Sequence, residues 1–365
     1  MVVSKNAIQE WQTPFWSAYY RSTGYLLTTS LNAPQKACDT IKKSFASIKD
    51  HPSFPPGSFS AVDNANDIKE YVPMLVGKME GWSGYLNRYA GYVRAAKALK
   101  YTEMMCLRLG VKLVTGNDGY AETILFESTS EEKKLCIGVK TTNGQIHRAT
   151  HTILCLGAHI ATLLPSITTQ VTAKSWAVAH IQLSPKEAAG MKGCPVVNCR
   201  DLGFFFEPDE DTGLIKLSAN GAGYTNTVSA AGKSASVPTH LNDGIPKEDE
   251  DLIRRLIQET MPQFSGKELL NKFICWCGDT SDSDYIIDFV PDTQGLLVVA
   301  GDSGHAFKML PVAGKWVKRA LEEGRQSIER WKWKNTSKGT RDISWRVGKV
   351  KDIKDVEFSS SEGKI

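Results

Sequence analysis

The sequence lacks several features that would settle its class at once. No G-x-G-x-x-G occurs anywhere in its 365 residues. The usual glycine-rich cradle for a dinucleotide pyrophosphate is therefore missing. No apolar run reaches the roughly 20 residues that a membrane-spanning helix needs, and no membrane partner is expected. The opening MVVSKNAIQEW has neither a continuous apolar stretch nor a small-residue cleavage site, so no secretory leader is expected. Charge of one sign is scarce: 44 Lys and Arg against 40 Asp and Glu leave a net +4. That surplus is too small to argue for a nucleic-acid partner. The eight cysteines are scattered, and without a leader they do not read as a disulfide framework. Zinc is not expected either. Cys275 and Cys277 are separated by one residue rather than two to four, and Cys194 with Cys199 has no matching second pair. No internal repeat is present.

What is there suffices for a packed core. The chain is 41% hydrophobic and long enough for two domains. Residues 1–50 read as helical, and HPSFPPGSFS breaks that pattern as a loop. VRAAKALKYTEMMCLRLG predicts a helix with apolar spacing at Val93, Ala96, Leu99 and Met104, stopped by Gly110. VKLVTG, TILFES, KLCIGVKTTNGQIHRAT and HTILCLGA follow as strands. Asn143-Gly144 is the strongest short hairpin signal in the chain. SWAVAHIQLSP, CPVVNC, GFFFEP and GLIKLSA predict an antiparallel sheet. LIRRLIQETMPQF predicts an amphipathic helix, and FICWC and LLVVA return to buried-strand character. From Glu322 the chain is basic and polar, and its last ten residues read as disordered. The order of these elements predicts a mixed α/β fold: a dinucleotide-binding domain joined to one built on an antiparallel sheet.

The run GDSGHAFKMLP, Gly301 to Pro311, follows LLVVA directly. It reads as a strand, a glycine turn and a helix start. Backbone N–H groups in such a turn can hold an electron-rich group, and glycines let a flat ligand approach closely. Geometry alone leaves an ordinary glycine turn with a solvent-facing Lys308 equally open. The run resembles the flavin-contacting motif of the monomeric sarcosine oxidase family, near G-x-S-G-H-x-F-K. It is most similar to the fungal fructosyl amino acid oxidases (amadoriases). FICWCGDTSDSDYIID, SWAVAHIQLSP, GFFFEPDEDTGLIKL and TILCLGAHIATLLP resemble further segments of that family in order and spacing, from about Ala7 to Trp333.

The resemblance implies FAD as cofactor, an N-terminal G-x-G-x-x-G unit expected upstream of where this chain starts, and a discontinuous organisation. Residues 84–165 and 272–330 would form the FAD-binding domain. Residues 1–83 and 166–271 would form the substrate domain, and 331–365 a polar tail. By similarity Cys275 is the cysteine that forms a thioether to the flavin, with Cys277 as the fallback. The alternative for Cys275 is a buried core cysteine. Lys216 takes the position of the lysine that promotes reaction with oxygen. Its neighbours Ile215 and Leu217 are both apolar, so alternation does not fix its face. Lys308 takes the position of the lysine that binds the substrate carboxylate. Gly157, Ala158, Gly301, Ser303, Gly304, His305, Ala306 and Phe307 would neighbour the flavin, with His305 open to a purely structural role.

The implied activity is oxidation of a secondary amine by O₂ to an imine, which hydrolyses, with release of hydrogen peroxide. Two departures bear on the substrate. Asn220 stands where the fructosyl amino acid oxidases have an acidic residue, and WKWKN, with Lys332 and Lys334, replaces their W-R-W-R-P. An N-alkyl amino acid such as sarcosine, saccharopine or a pipecolate-like ring is therefore nearly as fitting as a glycated amino acid. A non-catalytic remnant of the family is the alternative from another class. The resemblance implies a monomer, cytoplasmic or peroxisomal, although the final GKI is a poor match to a peroxisomal signal.

Overall fold

A computed structural model describes residues 2–128, 133–230, 233–239, 244–334 and 345–359. The eleven-residue strand Thr172–Gln182 forms the axis. On one edge it pairs antiparallel with Leu214–Ala219, and on the other with Leu270–Asp279. The sheet continues from Leu214–Ala219 through Gly203–Phe205 and Val196–Cys199 to Tyr25–Thr29, Ser83–Asn87 and Phe59–Val62, and it has ten strands. The parallel step on this path joins Val196–Cys199 to Tyr25–Thr29. Side chains alternate across a strand, so one face of the sheet is apolar throughout. Leu26, Ala177, Ala179, Val197, Phe205, Ile215 and Leu217 all belong to one core. That core is closed by the helix Lys247–Thr260, through Ile253, Leu256 and Ile257, and by Ile68 of Ala65–Tyr71. Glu248, Asp249 and Glu250 occupy the first turn of Lys247–Thr260, where the helix dipole favours negative charge.

The opposite face is divided. Around Leu27 and Tyr85 it is covered by the helix Gln35–Ile48, through Ile41 and Ile48. Further along, it carries the half-buried Lys174, Trp176, His180 and Lys216 and the exposed Phe273 and Cys275.

A second core lies on a three-stranded sheet of Ile286–Phe289, Leu296–Ala300 and Thr152–Leu154, where Leu296–Val298 run parallel to Thr152–Leu154. Ala121–Ser128, Lys134–Thr141, Ile146–Arg148 and Thr293–Gln294 form a further small sheet. Its hairpin turns at Asn143-Gly144, with Gly144 at φ +86°. The helix Leu310–Glu323 follows the 301–309 segment and ends on Gly324 at φ +64°. The N-terminal helix Val2–Trp11 packs on it, with Ala7 against Met309 and Val312. The chain returns late in the sequence as a strap. Lys351–Asp352 adds to Tyr224–Thr225, Ile353 is buried beside Tyr224 and Ile274, and Phe358–Ser359 pairs with Ile245–Pro246.

Several sequence expectations are corrected. Residues 1–50 are not all helical: Tyr25–Thr29 is a strand inside the large sheet, stabilised by partners far away in sequence. VKLVTG is not a strand. The backbone N–H of Val111 bonds back to Cys106 to close the preceding helix, and the run then leads into the short turn Gly116–Asp118. The helix Ala95–Arg108 forms as expected but buries only Ala98, leaving Leu99 and Met104 exposed. The last ten residues are ordered as far as Ser359, because Phe358–Ser359 has a strand partner. The rest of that stretch, with the GKI ending, lies outside the described residues.

Candidate active site

Strand register decides which predicted residues meet. His180 lies opposite Lys216, and Trp176 lies opposite Cys275. His180 and Trp176 share parity on one strand, so Lys216 and Cys275 project from the same face of the sheet. It is the face opposite the core formed by Ile215 and Leu217. The question that alternation left open for Lys216 is settled by its cross-strand register. Cys275 is exposed there. Cys277, on the same side, is buried, and burial together with the carboxylate of Asp302 pushes its thiol well above the usual range.

The 301–304 turn is fastened over the end of the cysteine strand. The Ser303 N–H donates to the Gly278 carbonyl at 3.0 Å, and the Gly278 N–H donates to Asp302 Oδ2 at 2.8 Å. The Thr280 N–H donates to Ser303 Oγ at 3.2 Å, and the Gly304 N–H donates to Asp302 Oδ1 at 2.9 Å. Gly301 is required here. Its φ is +74°, and an added Cβ would lie 2.8 Å from Thr280 Cγ2 and 2.9 Å from the Asp284 carbonyl oxygen. Ser303 adopts φ +45° without being glycine and is fully buried, so these bonds hold a strained residue in place. Gly157, at φ +51°, reaches the same junction: its carbonyl oxygen is 3.2 Å from where a Cβ on Gly278 would be. Ala158, beside it, is buried.

His305 is a satisfied histidine. Its Nδ1 faces the Tyr285 hydroxyl at 3.0 Å and its Nε2 faces the Ser283 carbonyl at 2.8 Å. The carbonyl can only accept, so Nε2 carries the proton and Tyr285 donates to Nδ1. Burial and the Lys308 charge lower its pKa, which keeps it neutral. Ala306 is packed against the Met309 cluster, while Phe307 is 37% exposed. The backbone carbonyl of Lys308 accepts from Trp11 Nε1 at 2.7 Å, so the N-terminal helix anchors this lysine. The Lys308 side chain is exposed yet walled by protein atoms, and desolvation followed by the Arg200 charge lowers its pKa.

Arg200, Trp345 and Arg346, which no sequence motif singled out, complete the site. Arg346, from the strap, is buried. Its Nε and Nη2 donate to Asp279 Oδ1 at 3.0 and 2.9 Å, and Nη2 also donates to the Ser303 carbonyl. Asp279 Oδ2 accepts from Lys174 at 2.8 Å. The Arg346 guanidinium lies 3.9 Å from the Trp176 ring centroid and 4.8 Å from that of Trp345. Arg200, just past Val196–Cys199, lies 4.2 Å from the Trp345 ring centroid. The result is a chain of cation–π contacts that links Arg200, Trp345, Arg346 and Trp176 beside the turn. Asn220, at the position of interest for the substrate, turns inward: its amide donates to Asn198 Oδ1 and to the Cys199 carbonyl. Lys334 is paired with Asp282 and Lys332 with Glu329.

The site, here called the recess, is the sheet face that carries the Cys275 thiol and Lys216, with the glycine turn at the end of the cysteine strand and exposed apolar side chains at Phe273, Leu156 and Phe307. It suits a planar ring flanked by an anionic ligand.

A family model described as FAD dependent oxidoreductase matches residues 3–320. The chain is 28% identical over 375 residues to L-saccharopine oxidase of Schizosaccharomyces pombe, a match that covers 98% of this chain and 85% of that protein. It is 25% identical over 361 residues to amino acid oxidase fsqB of Aspergillus fumigatus, covering 79% and 70% respectively. In solved structures it resembles the deglycating fructosamine oxidase Amadoriase II from Aspergillus fumigatus, with a TM-score of 0.85, 32% identity, and coverage of 99% of this chain and 84% of the other.

Proposed function

The chain belongs to the FAD dependent oxidoreductase family, and we propose that it oxidises a secondary amine bearing a carboxylate, with O₂ as acceptor and hydrogen peroxide as product. The placement of Lys216 and Cys275 on one face of the central sheet, with the turn that precedes Lys308 fastened to the end of the Cys275 strand, is the observation that supports this reading most directly. The names of the similar proteins, L-saccharopine oxidase and fructosamine oxidase, fit the same reaction class.

The residues fit the ring end of FAD. Gly304 has φ +73° and only the Arg346 guanidinium within 4 Å of an added Cβ, so its backbone is open to a flat partner. Gly157, Gly304, His305, Ala306 and Phe307 would neighbour that partner, with the buried Ala158, Gly301 and Ser303 shaping the turn behind them, and the accessible Cys275 thiol would hold it covalently. Bound FAD supplies the hydride acceptor and the route for two electrons to O₂. The protein does the rest. Lys308 holds the substrate carboxylate and thereby orients the carbon next to nitrogen. Lys216 places a fixed cation where negative charge develops as O₂ is reduced. Neutral His305 and Tyr285 keep the turn rigid, and Arg346 locks Ser303 to Asp279.

Two domains are proposed, one of residues 84–165 with 272–330 and one of residues 1–83 with 166–271. The separate cores around Leu296 and around Leu217 support a division of this kind, although Ser83–Asn87 and Leu270–Asp279 belong to the large sheet and Val2–Trp11 packs on Leu310–Glu323, so the bounds shift at those three places. Among the described residues no helix is long and apolar enough to cross a membrane. A monomer, in the cytoplasm or peroxisome, is proposed.

The test is peroxide release. The purified, FAD-loaded chain is offered sarcosine, pipecolate, fructosylglycine and saccharopine in air. Peroxide from any of them supports the reading, and none from all four, with FAD bound, refutes it.

A further inference from the structure

The recess holds more positive charge than the proposed reaction requires. Arg346 is ion-paired, although it shares Asp279 with Lys174 and one positive charge is left over. Arg200 and Lys308 are not. Neither has a carboxylate partner among the described residues, and Arg200 Nε is buried without any acceptor. Arg200 is flanked by Tyr25, whose hydroxyl is occupied by the Asn198 amide, and by the Trp345 ring. Its like-charged neighbours are Arg346 and Lys308. A guanidinium whose buried Nε has no acceptor and whose neighbours carry like charge is costly, and proteins keep such a group where a ligand brings the missing charge.

One carboxylate on the substrate would satisfy Lys308 and leave Arg200 orphaned. A sugar would satisfy neither, and the residue placed to meet one, Asn220, is spent on Asn198 and Cys199. We propose that the substrate is a secondary amine joining two carboxylate-bearing arms, with one carboxylate on Lys308 and the second on Arg200 as the specificity-determining residue. This rests on the amine-oxidase reading above. It adds that the arm beyond the nitrogen ends in an anion rather than in a methyl group or a polyol. A guanidinium with free N–H donors suits a carboxylate because it can bind both oxygens at once.

The experiment compares kcat/KM for iminodiacetate and N-(2-carboxyethyl)glycine with kcat/KM for sarcosine and fructosylglycine, in the wild type and in Arg200→Gln and Arg200→Lys. The dicarboxylates are expected to be preferred. Arg200→Gln is expected to cut that preference by roughly a hundred-fold, the scale of losing a buried charged contact, chiefly through KM. Arg200→Lys should restore part of it. In parallel, calorimetric titration with succinate, glutarate and adipate should show binding to the wild type that butyrate does not match and that Arg200→Gln loses. Preference for sarcosine or fructosylglycine, with peroxide produced, overturns this inference and leaves the amine-oxidase reading intact. An equal fall on all substrates in Arg200→Gln also overturns it, since that would mark Arg200 as structural. Absence of peroxide from every amine sinks the reaction itself, and the failure of all three diacids to bind sinks the second carboxylate independently of turnover.

Discussion

At the scale of single residues, the site separates groups by exposure. Cys275 is open and Cys277 is closed, although only Trp276 lies between them on the strand. Cys275→Ala should therefore leave flavin removable by acid precipitation, whereas the wild-type pellet should stay yellow. A colourless wild-type pellet would refute the covalent link. Lys216→Met should slow reoxidation by O₂ roughly a hundred-fold or more and leave anaerobic reduction much closer to normal, because a preorganised charge acts where charge develops. Stopped-flow traces of the two half-reactions would separate these effects. Gly301→Ala should destabilise the protein by roughly 2 kcal/mol, since φ +74° and a carbonyl at 2.9 Å both resist a methyl group. A urea melt unchanged from wild type would contradict that. The glycine turn and its lysine were legible in sequence, because turn glycines and a following helix form a local pattern. Arg200 was not. CRDLG has the look of a turn, and only the parallel pairing with Tyr25–Thr29 brings its side chain to the recess.

At the scale of elements, local contacts were readable from the sequence and distant ones were not. The Asn143-Gly144 hairpin and the helix Lys247–Thr260 are written in adjacent residues. Tyr25–Thr29 was lost inside a helical reading, since both of its sheet neighbours lie far along the chain. The strap was read as polar tail because its two short strands have no apolar pattern of their own and borrow partners at Tyr224–Thr225 and Ile245–Pro246. The strap is energetically tied to the site through one buried ion pair. Arg346→Met would leave Asp279 with Lys174 alone and free the Ser303 carbonyl. Because Asp279 keeps Lys174, the expected loss is that of the charge-assisted hydrogen bonds, about 1.5–3 kcal/mol, readable as a lowered urea midpoint. A midpoint within experimental error of wild type would show that the pair is dispensable.

At the scale of the whole molecule, stability should depend on pH through the seam between the helix Lys247–Thr260 and the central sheet. Burial raises the Asp249 carboxyl from its usual 3.8 to about 6, against the pull of the Tyr224 hydroxyl and the Ala177 backbone. The native protein thus keeps a proton that the unfolded chain releases. Stability from this group is full below about pH 4 and falls as pH rises to about 6, by roughly 3 kcal/mol for a shift of about two units. Asp249→Asn should remove that decline, seen as wild-type and variant unfolding curves that diverge between pH 4 and 6 and run parallel above. Curves parallel throughout would refute it. Composition and element order conveyed the mixed α/β character, while the ten-strand sheet needed pairings that no local window contains. The strap adds a consequence in time. Trp345 and Arg346 follow every other residue of the recess along the chain, so synthesis passes through a stage in which the glycine turn is already made but its clamp is not. The recess is therefore finished late, and firm capture of a cofactor belongs after the strap has emerged from the ribosome.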